Sequence, residues 1–266
     1  MSDAEISQHA EGASEAASEG AGVAIVTGAS SGIGEAIVRR LARDGFDVVL
    51  TSRDPGRLIG LADTVVKAGR RALTVSLDLS SLHGIESAFG RIEETFGTAD
   101  LLINNAGCTI HRPALDITLE DWDTVIDTNL RGTFFITQVF ARRLTAAGRS
   151  GHVINFGSTH GLVGYAQRSV YGVSKAGIAQ LGRMLAIEWA DYGIRVNTVA
   201  PGTVETPSRL AAMANPETRQ AMLDRVPMRR FATPDEVAAA VSYLASADAS
   251  YLNGTTIVLD GGLTAA

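Results

Sequence analysis

The sequence predicts an α/β fold, a single doubly wound parallel sheet of seven strands with helices on both faces. Three observations predict it. From Gly22 onward, short Val/Ile/Leu-rich runs alternate with amphipathic stretches, the pattern of successive βαβ units. A glycine-rich turn joins the first such run to the first amphipathic stretch. The chain has 266 residues, 45% of them hydrophobic, enough to bury one large core without a second domain.

Taken in order, the runs place strands over Val23–Thr27, Val48–Ser52, Ala72–Leu77, Leu101–Asn104, Val153–Phe156, Arg195–Val199 and Thr256–Leu259. Helical periodicity falls near Ile33–Asp44, Leu58–Ala68, Leu82–Phe96, Trp122–Thr145, Val170–Asp191 and Asp235–Ala245, with a shorter stretch at Glu217–Leu223. Residues 21–266 therefore form the catalytic or binding domain. Residues 1–20 are rich in Ala, Ser, Glu and Gly, with Ile6 the one large aliphatic side chain, and read as a disordered extension.

Composition excludes several classes. Lys and Arg total 23 against 29 Asp and Glu, and a net charge of −6 disfavours attraction to nucleic acid or anionic lipid. Cys108 is the single cysteine, so an internal disulfide or a cysteine metal cluster is excluded and a reducing, cytoplasmic setting is expected. No run approaches the roughly 18 apolar residues that span a bilayer.

In a doubly wound sheet the ligand sits beyond the carboxyl ends of the strands, where strand order reverses. Thr27-Gly28-Ala29-Ser30-Ser31-Gly32-Ile33-Gly34 lies at such an end, and glycines there let a pyrophosphate approach the backbone and rest on a helix N-terminus. Gly28, Gly32 and Gly34 are spaced 4 and 2 apart, unlike the GxGxxG of ordinary dinucleotide-binding folds. Tyr171-Gly172-Val173-Ser174-Lys175 puts Tyr171 and Lys175 on one helical face. A nearby ammonium lowers a phenol's pKa, moving Tyr171 toward the range useful for proton transfer. Ser158 follows the fifth strand, thirteen positions before Tyr171, where its hydroxyl can hold a substrate oxygen.

Together with Asp78, the Asn104-Asn105-Ala106-Gly107 run and Asn129, these motifs resemble the short-chain dehydrogenase/reductase family across Gly22 to Gly262. The resemblance implies a Rossmann-type fold and an NAD(P)-dependent interconversion of a secondary alcohol and a ketone, with Asn129, Ser158, Tyr171 and Lys175 as the catalytic tetrad. It implies that Tyr171 is the general acid/base, that Lys175 also binds the nicotinamide ribose, and that Asn129 holds a water in a proton relay. It further implies cofactor contacts from Gly28, Ser30, Ser31, Gly32, Ile33 and Gly34. Asp78 and Leu79 are implied at the adenine, Asn105, Ala106 and Gly107 along the adenosine half, and Pro201, Gly202, Val204 and Thr206 near the carboxamide and pyrophosphate. No metal is needed, because the cofactor supplies the hydride.

The second strand ends Thr51-Ser52-Arg53-Asp54. A carboxylate at that end binds a free ribose hydroxyl, whereas a base meets a 2′-phosphate. Arg53 therefore favours NADP(H) over NAD(H). Substrate contacts are expected from Cys108–Leu115, Thr159–Arg168 and Glu205 to about Arg230, with Ser158, His160, Tyr165 and Gln167 for hydrogen bonding and Met213 among the apolar contacts.

The expected partner is a small carbonyl or alcohol. The leading expectation is an NADPH-dependent carbonyl or 3-oxoacyl reductase, the alternative a sugar or polyol dehydrogenase, and a remote rival a non-catalytic dinucleotide-binding regulator. An acidic acyl carrier protein has Arg149 to dock on, but Ile187 and Tyr192 stand where such reductases often carry arginine. Relatives imply a homotetramer built on the two long helices and the Tyr251–Leu263 strand end, with Phe134, Phe140, Leu181, Leu185 and Trp189 as interface candidates.

Overall fold

The structure is a computed structural model that describes residues 21–265. The expected extension at 1–20 lies outside the described residues. Seven strands, β1 (Val23–Val26), β2 (Asp47–Ser52), β3 (Ala72–Ser76), β4 (Leu101–Asn104), β5 (Gly151–Phe156), β6 (Ile194–Pro201) and β7 (Thr256–Leu259), form one sheet in the order β3-β2-β1-β4-β5-β6-β7. Every neighbouring pair is parallel. The chain winds outward from β1 to β3, then returns to β4 and winds the other way, which leaves the switch point between β1 and β4.

Strands β1 and β4 are almost continuous apolar runs, buried throughout, because both faces are covered there. Side-chain alternation sends Ala24, Val26, Val48 and Leu50 to one core, and Val23, Ile25 and Val49 to the other. The first core is completed by α1 (Gly32–Arg43), α2 (Ile59–Lys67) and α9 (Pro234–Ala245), through Ile37, Leu41, Val65, Val237 and Val241. The second is completed by α3 (Leu82–Phe96), α5 (Gly132–Ala146) and α6 (Ser169–Glu188), through Ile85, Phe89, Ile136, Phe140 and Leu185. Phe140 and Leu185 thus belong to this chain's own core, not to a surface offered to another copy.

Two departures from the periodicity bear on function. The stretch expected as one helix over Trp122–Thr145 is divided into α4 (Leu119–Ile126), a π turn at Asp127–Arg131, and α5. Wider π turns interrupt α-helices mostly at functional sites, and Asn129 sits in this one. Between β6 and α9 the chain forms α7 (Pro207–Ala212) and α8 (Pro216–Asp224), of which only the second is periodic enough to be read from sequence. These helices carry a small core of their own, Met213, Leu223 and Phe231. Met213 is therefore buried within the segment and not directed at a substrate. No helix among the described residues is long and apolar enough to cross a membrane.

Candidate active site

The turn after β1 is held from below by two polar side chains. Asn105 Nδ2 donates to the carbonyls of Thr27 (2.9 Å) and Gly28 (3.1 Å), and Thr27 Oγ1 accepts from the Ala106 amide at 3.0 Å. Gly28 and Gly32 adopt left-handed φ of +65° and +59°, which favours glycine, and a Cβ on Gly28 would lie 2.9 Å from Ala106 Cα. On Gly34 a Cβ would meet the Gly28 carbonyl at 2.3 Å, so the third glycine lets the helix start pack under the turn. Ser31, at the N-cap of α1, makes no side-chain cap bond. The first-turn amides of α1 are thus presented to an anion with the positive end of the helix dipole behind them.

Beside this turn lies a cavity of about 200 Å³ lined by Ile33, Asn105, Gly107, Ser158, Tyr171, Lys175, Pro201 and Gly202 among others. Strand β5 delivers Ser158 to its rim, where Ser158 Oγ accepts from the His160 amide at 3.2 Å. Helix α6 delivers Tyr171 and Lys175 one turn apart. Asn129, 1% exposed, accepts from the Cys108 amide at 2.8 Å and donates to the Cys108 carbonyl at 2.9 Å and Ser174 Oγ at 3.1 Å. Ser174 Oγ in turn donates to the Tyr171 carbonyl at 2.7 Å. Both amide hydrogens of Asn129 are engaged, so it ties the loop after β4 to the helix that carries Tyr171.

The electrostatics differ from the sequence expectation in one respect. The Tyr171 phenol is pushed up, not down, because burial disfavours the phenolate more than its hydrogen bond to Ser158 and the charges of Arg168 and Arg209 favour it. Lys175 Nζ lies 5.8 Å from the Tyr171 ring centroid and donates to the Phe156 carbonyl at 2.7 Å. Burial lowers the Lys175 pKa to about 8. The ammonium is thus fixed at the end of β5, with two further donors for a ligand.

At the far end of the cleft, Arg53 is exposed after β2 and makes no ion pair among the described residues. Asp54 does not neutralise it, because the Asp54 carboxylate caps the turn at Pro55–Leu58 through the Gly56 amide. Asp78 accepts from the Ser80 amide (2.9 Å) and hydroxyl (2.8 Å), which with the Arg53 charge hold its carboxyl below the ordinary range. Leu79 is buried in the second core. Val204 bridges to Ala232, and Thr206 caps α7 while its methyl stands over Gly32, so the α7–α8 segment is rooted on the phosphate turn.

Comparison with known proteins settles the lineage. Residues 28–264 match the family model described as enoyl-(acyl carrier protein) reductase, of the short-chain type. Glucose 1-dehydrogenase 2 of Bacillus subtilis is 37% identical over 91% of this chain and 94% of its own length. The chain belongs to the short-chain dehydrogenase/reductase family. The 2-dehydro-3-deoxy-D-gluconate 5-dehydrogenase of Escherichia coli is 35% identical over 90% of this chain and 94% of its own. A solved Agrobacterium tumefaciens structure, described as a 2-deoxy-D-gluconate 3-dehydrogenase with NADP bound, superposes with a TM-score of 0.84 at 36% identity, covering 92% of this chain and 96% of that one.

As a short-chain dehydrogenase/reductase, the chain is an oxidoreductase acting on CH–OH groups. The loop after β5, expected from the sequence to contact substrate, packs its aromatic side chains beside Tyr171. His160 stacks on Tyr165 (4.8 Å between ring centroids) and meets Tyr171 edge-on at 6.0 Å. Burial and nearby arginines lower the His160 pKa to about 4, so it is neutral at pH 7. Gln167 has φ +62°, and a second cavity of about 420 Å³ opens between it, His111, Tyr165 and Arg225. Arg149, the expected docking point for an acidic carrier, is engaged with Asp100 and the Thr98 carbonyl. The sequence does not single out Ser174, and it marks Arg168 only as the last residue of an expected substrate loop. Ser174 stands inside the YGVSK run, but nothing in spacing shows that its hydroxyl joins Asn129 to Tyr171. Arg168 reads as one more loop cation until its burial is seen.

Proposed function

We propose that this enzyme interconverts a secondary alcohol and a ketone on a polyhydroxylated, sugar-like or polyol substrate, with NADP(H) preferred to NAD(H). The observation that carries the reading is the convergence of Ser158, Tyr171 and Lys175 on one cavity that is continuous with an uncapped helix N-terminus. The residues fit the dinucleotide: the α1 amides receive the pyrophosphate, Lys175 the nicotinamide ribose, and Arg53 a 2′-phosphate. The cofactor supplies and accepts the hydride. Ser158 holds the substrate oxygen and Tyr171 passes the proton, while Asn129 fixes the geometry of the loop and helix between them. The names of the relatives favour a sugar or polyol over a 3-oxoacyl substrate, and the Asp100 partner of Arg149 offsets the positive charge on which an acidic carrier would dock.

Nicotinamide absorbance with a panel of sugars, polyols, β-ketoesters and diketones tests this. Oxidation of a polyol or sugar that Tyr171→Phe abolishes, with cofactor affinity kept, is the expected result. Turnover confined to ketoesters would refute the substrate class. We further propose a homotetramer whose contacts use exposed apolar residues of α4 and α6, Leu119, Val173 and Ile187. A monomer in sedimentation at micromolar concentration would contradict it.

A further inference from the structure

Three arginines crowd the substrate side of Tyr171. Arg168 is 5% exposed, yet its Nε has no hydrogen-bond partner. One of its Nη atoms bonds Thr109 Oγ1, and its guanidinium carbon lies 6.0 Å from the Tyr171 ring centroid. Arg225 reaches over the Tyr165 ring at 4.9 Å and lines the second cavity. Arg209, on α7, acts electrostatically on both Tyr171 and Arg168.

Acidic side chains do not account for this charge. Beside them in sequence, Glu205 is engaged with Arg219 and Asp224 with Arg229. Among the described residues, none of the three arginines makes an ion pair. A buried guanidinium without a counter-charge is costly, and in a cleft it marks a place for an anion. The dinucleotide's phosphates belong at the other side of the turn, at the α1 N-terminus and Arg53. His160 and His111 add no negative charge, since each is neutral or cationic.

We infer that the substrate carries a carboxylate a few bonds from the reacting carbinol, received by Arg225 at the second cavity, with the unpaired charge of the buried Arg168 beside Tyr171 and that of Arg209 adding to the attraction. This rests on the hydride-transfer reading above and makes the substrate a hydroxy acid, such as a sugar acid or a hydroxylated ring acid. Arginine suits the task because its planar fork matches a carboxylate's two oxygens. Fixing the acid end also orients the carbinol between Ser158 and Tyr171.

The test compares each acid with its uncharged amide, using gluconate and gluconamide, and a hydroxycyclohexanecarboxylate and its amide, with cofactor-loaded enzyme. The acid should exceed the amide in kcat/KM by about 30-fold or more, the scale of one or two charged hydrogen bonds. Added salt should raise KM for the acid more than for the amide. Arg225→Gln and Arg209→Gln should each cut the acid-to-amide ratio by about tenfold, whereas Arg229→Gln, already paired outside the cleft, should not. A wild-type ratio near one would overturn the inference. So would a loss of NADP(H) affinity in these variants with the ratio kept, since the cofactor would then be the anion they serve. Calorimetry separates the two readings when nothing is oxidised: binding of the acid but not the amide keeps the anion site and refutes the placing of the acid's carbinol between Ser158 and Tyr171, and binding of neither refutes the anion site.

Discussion

Asn129→Leu is the perturbation that most cleanly separates scaffold from chemistry. Leucine keeps the branched outline of asparagine, though bulkier, but removes the three hydrogen bonds that Asn129 makes to the Cys108 amide, the Cys108 carbonyl and Ser174 Oγ. Two main-chain groups of Cys108 lose their partners, in a loop that water reaches only in part. At about 1–3 kcal/mol for each orphaned buried group, and the lower half of that range for partial burial, the loss is about 2–4 kcal/mol. Urea denaturation of the variant against wild type reads this as a fall in midpoint at constant slope. Activity should fall further than stability requires, because the tie between the loop after β4 and the Tyr171 helix is gone. A stability change under about 0.5 kcal/mol would refute the assignment of Asn129 as the tie.

Three further outcomes follow from named residues. Arg53→Asp should weaken NADPH about tenfold or more while sparing NADH, because a charged donor is replaced by a carboxylate facing the phosphate; equal loss of both would show that Arg53 does not choose between them. His152 is buried beside Arg195 and its pKa is lowered to about 3. The unfolded chain therefore binds a proton there between pH 6.5 and 3 that the folded chain does not, and stability falls with pH across that window by about 1.4 kcal/mol per unit. His152→Gln should flatten the difference in urea stability between pH 7.5 and pH 5 by about 2 kcal/mol, and an unchanged slope would contradict the burial argument. Gly34→Ala should cost cofactor affinity and stability together, since its Cβ would lie 2.3 Å from the Gly28 carbonyl; unaltered cofactor binding would show that the turn can relax.

The strands were legible because each centres on a short run of Val, Ile or Leu, buried throughout in β1 and β4, and β4 and β7 fall on the residues the pattern marks. The break in the helix before α5 was not legible, because a π turn keeps helical residues and periodicity and only adds one residue to a turn. Tyr171, Lys175 and Ser158 were readable from spacing, yet the direction of the Tyr171 shift was not. Spacing places a lysine on the same face, but burial and the attachment of Lys175 to the Phe156 carbonyl decide the energy. The positive cluster was invisible for a related reason: Arg168, Arg209 and Arg225 stand far apart in sequence, and the carboxylates between them look like partners until the pairs are seen.

The most direct measurement is a single turnover with a secondary alcohol deuterated at the carbinol carbon and NADP, followed by mass spectrometry of the reduced cofactor. Deuterium should appear in the reduced nicotinamide with the wild-type enzyme, and none should form with Tyr171→Phe at equal cofactor occupancy. Full transfer by Tyr171→Phe at the wild-type rate would contradict the assignment of Tyr171 as the proton donor and acceptor, and with it the central claim.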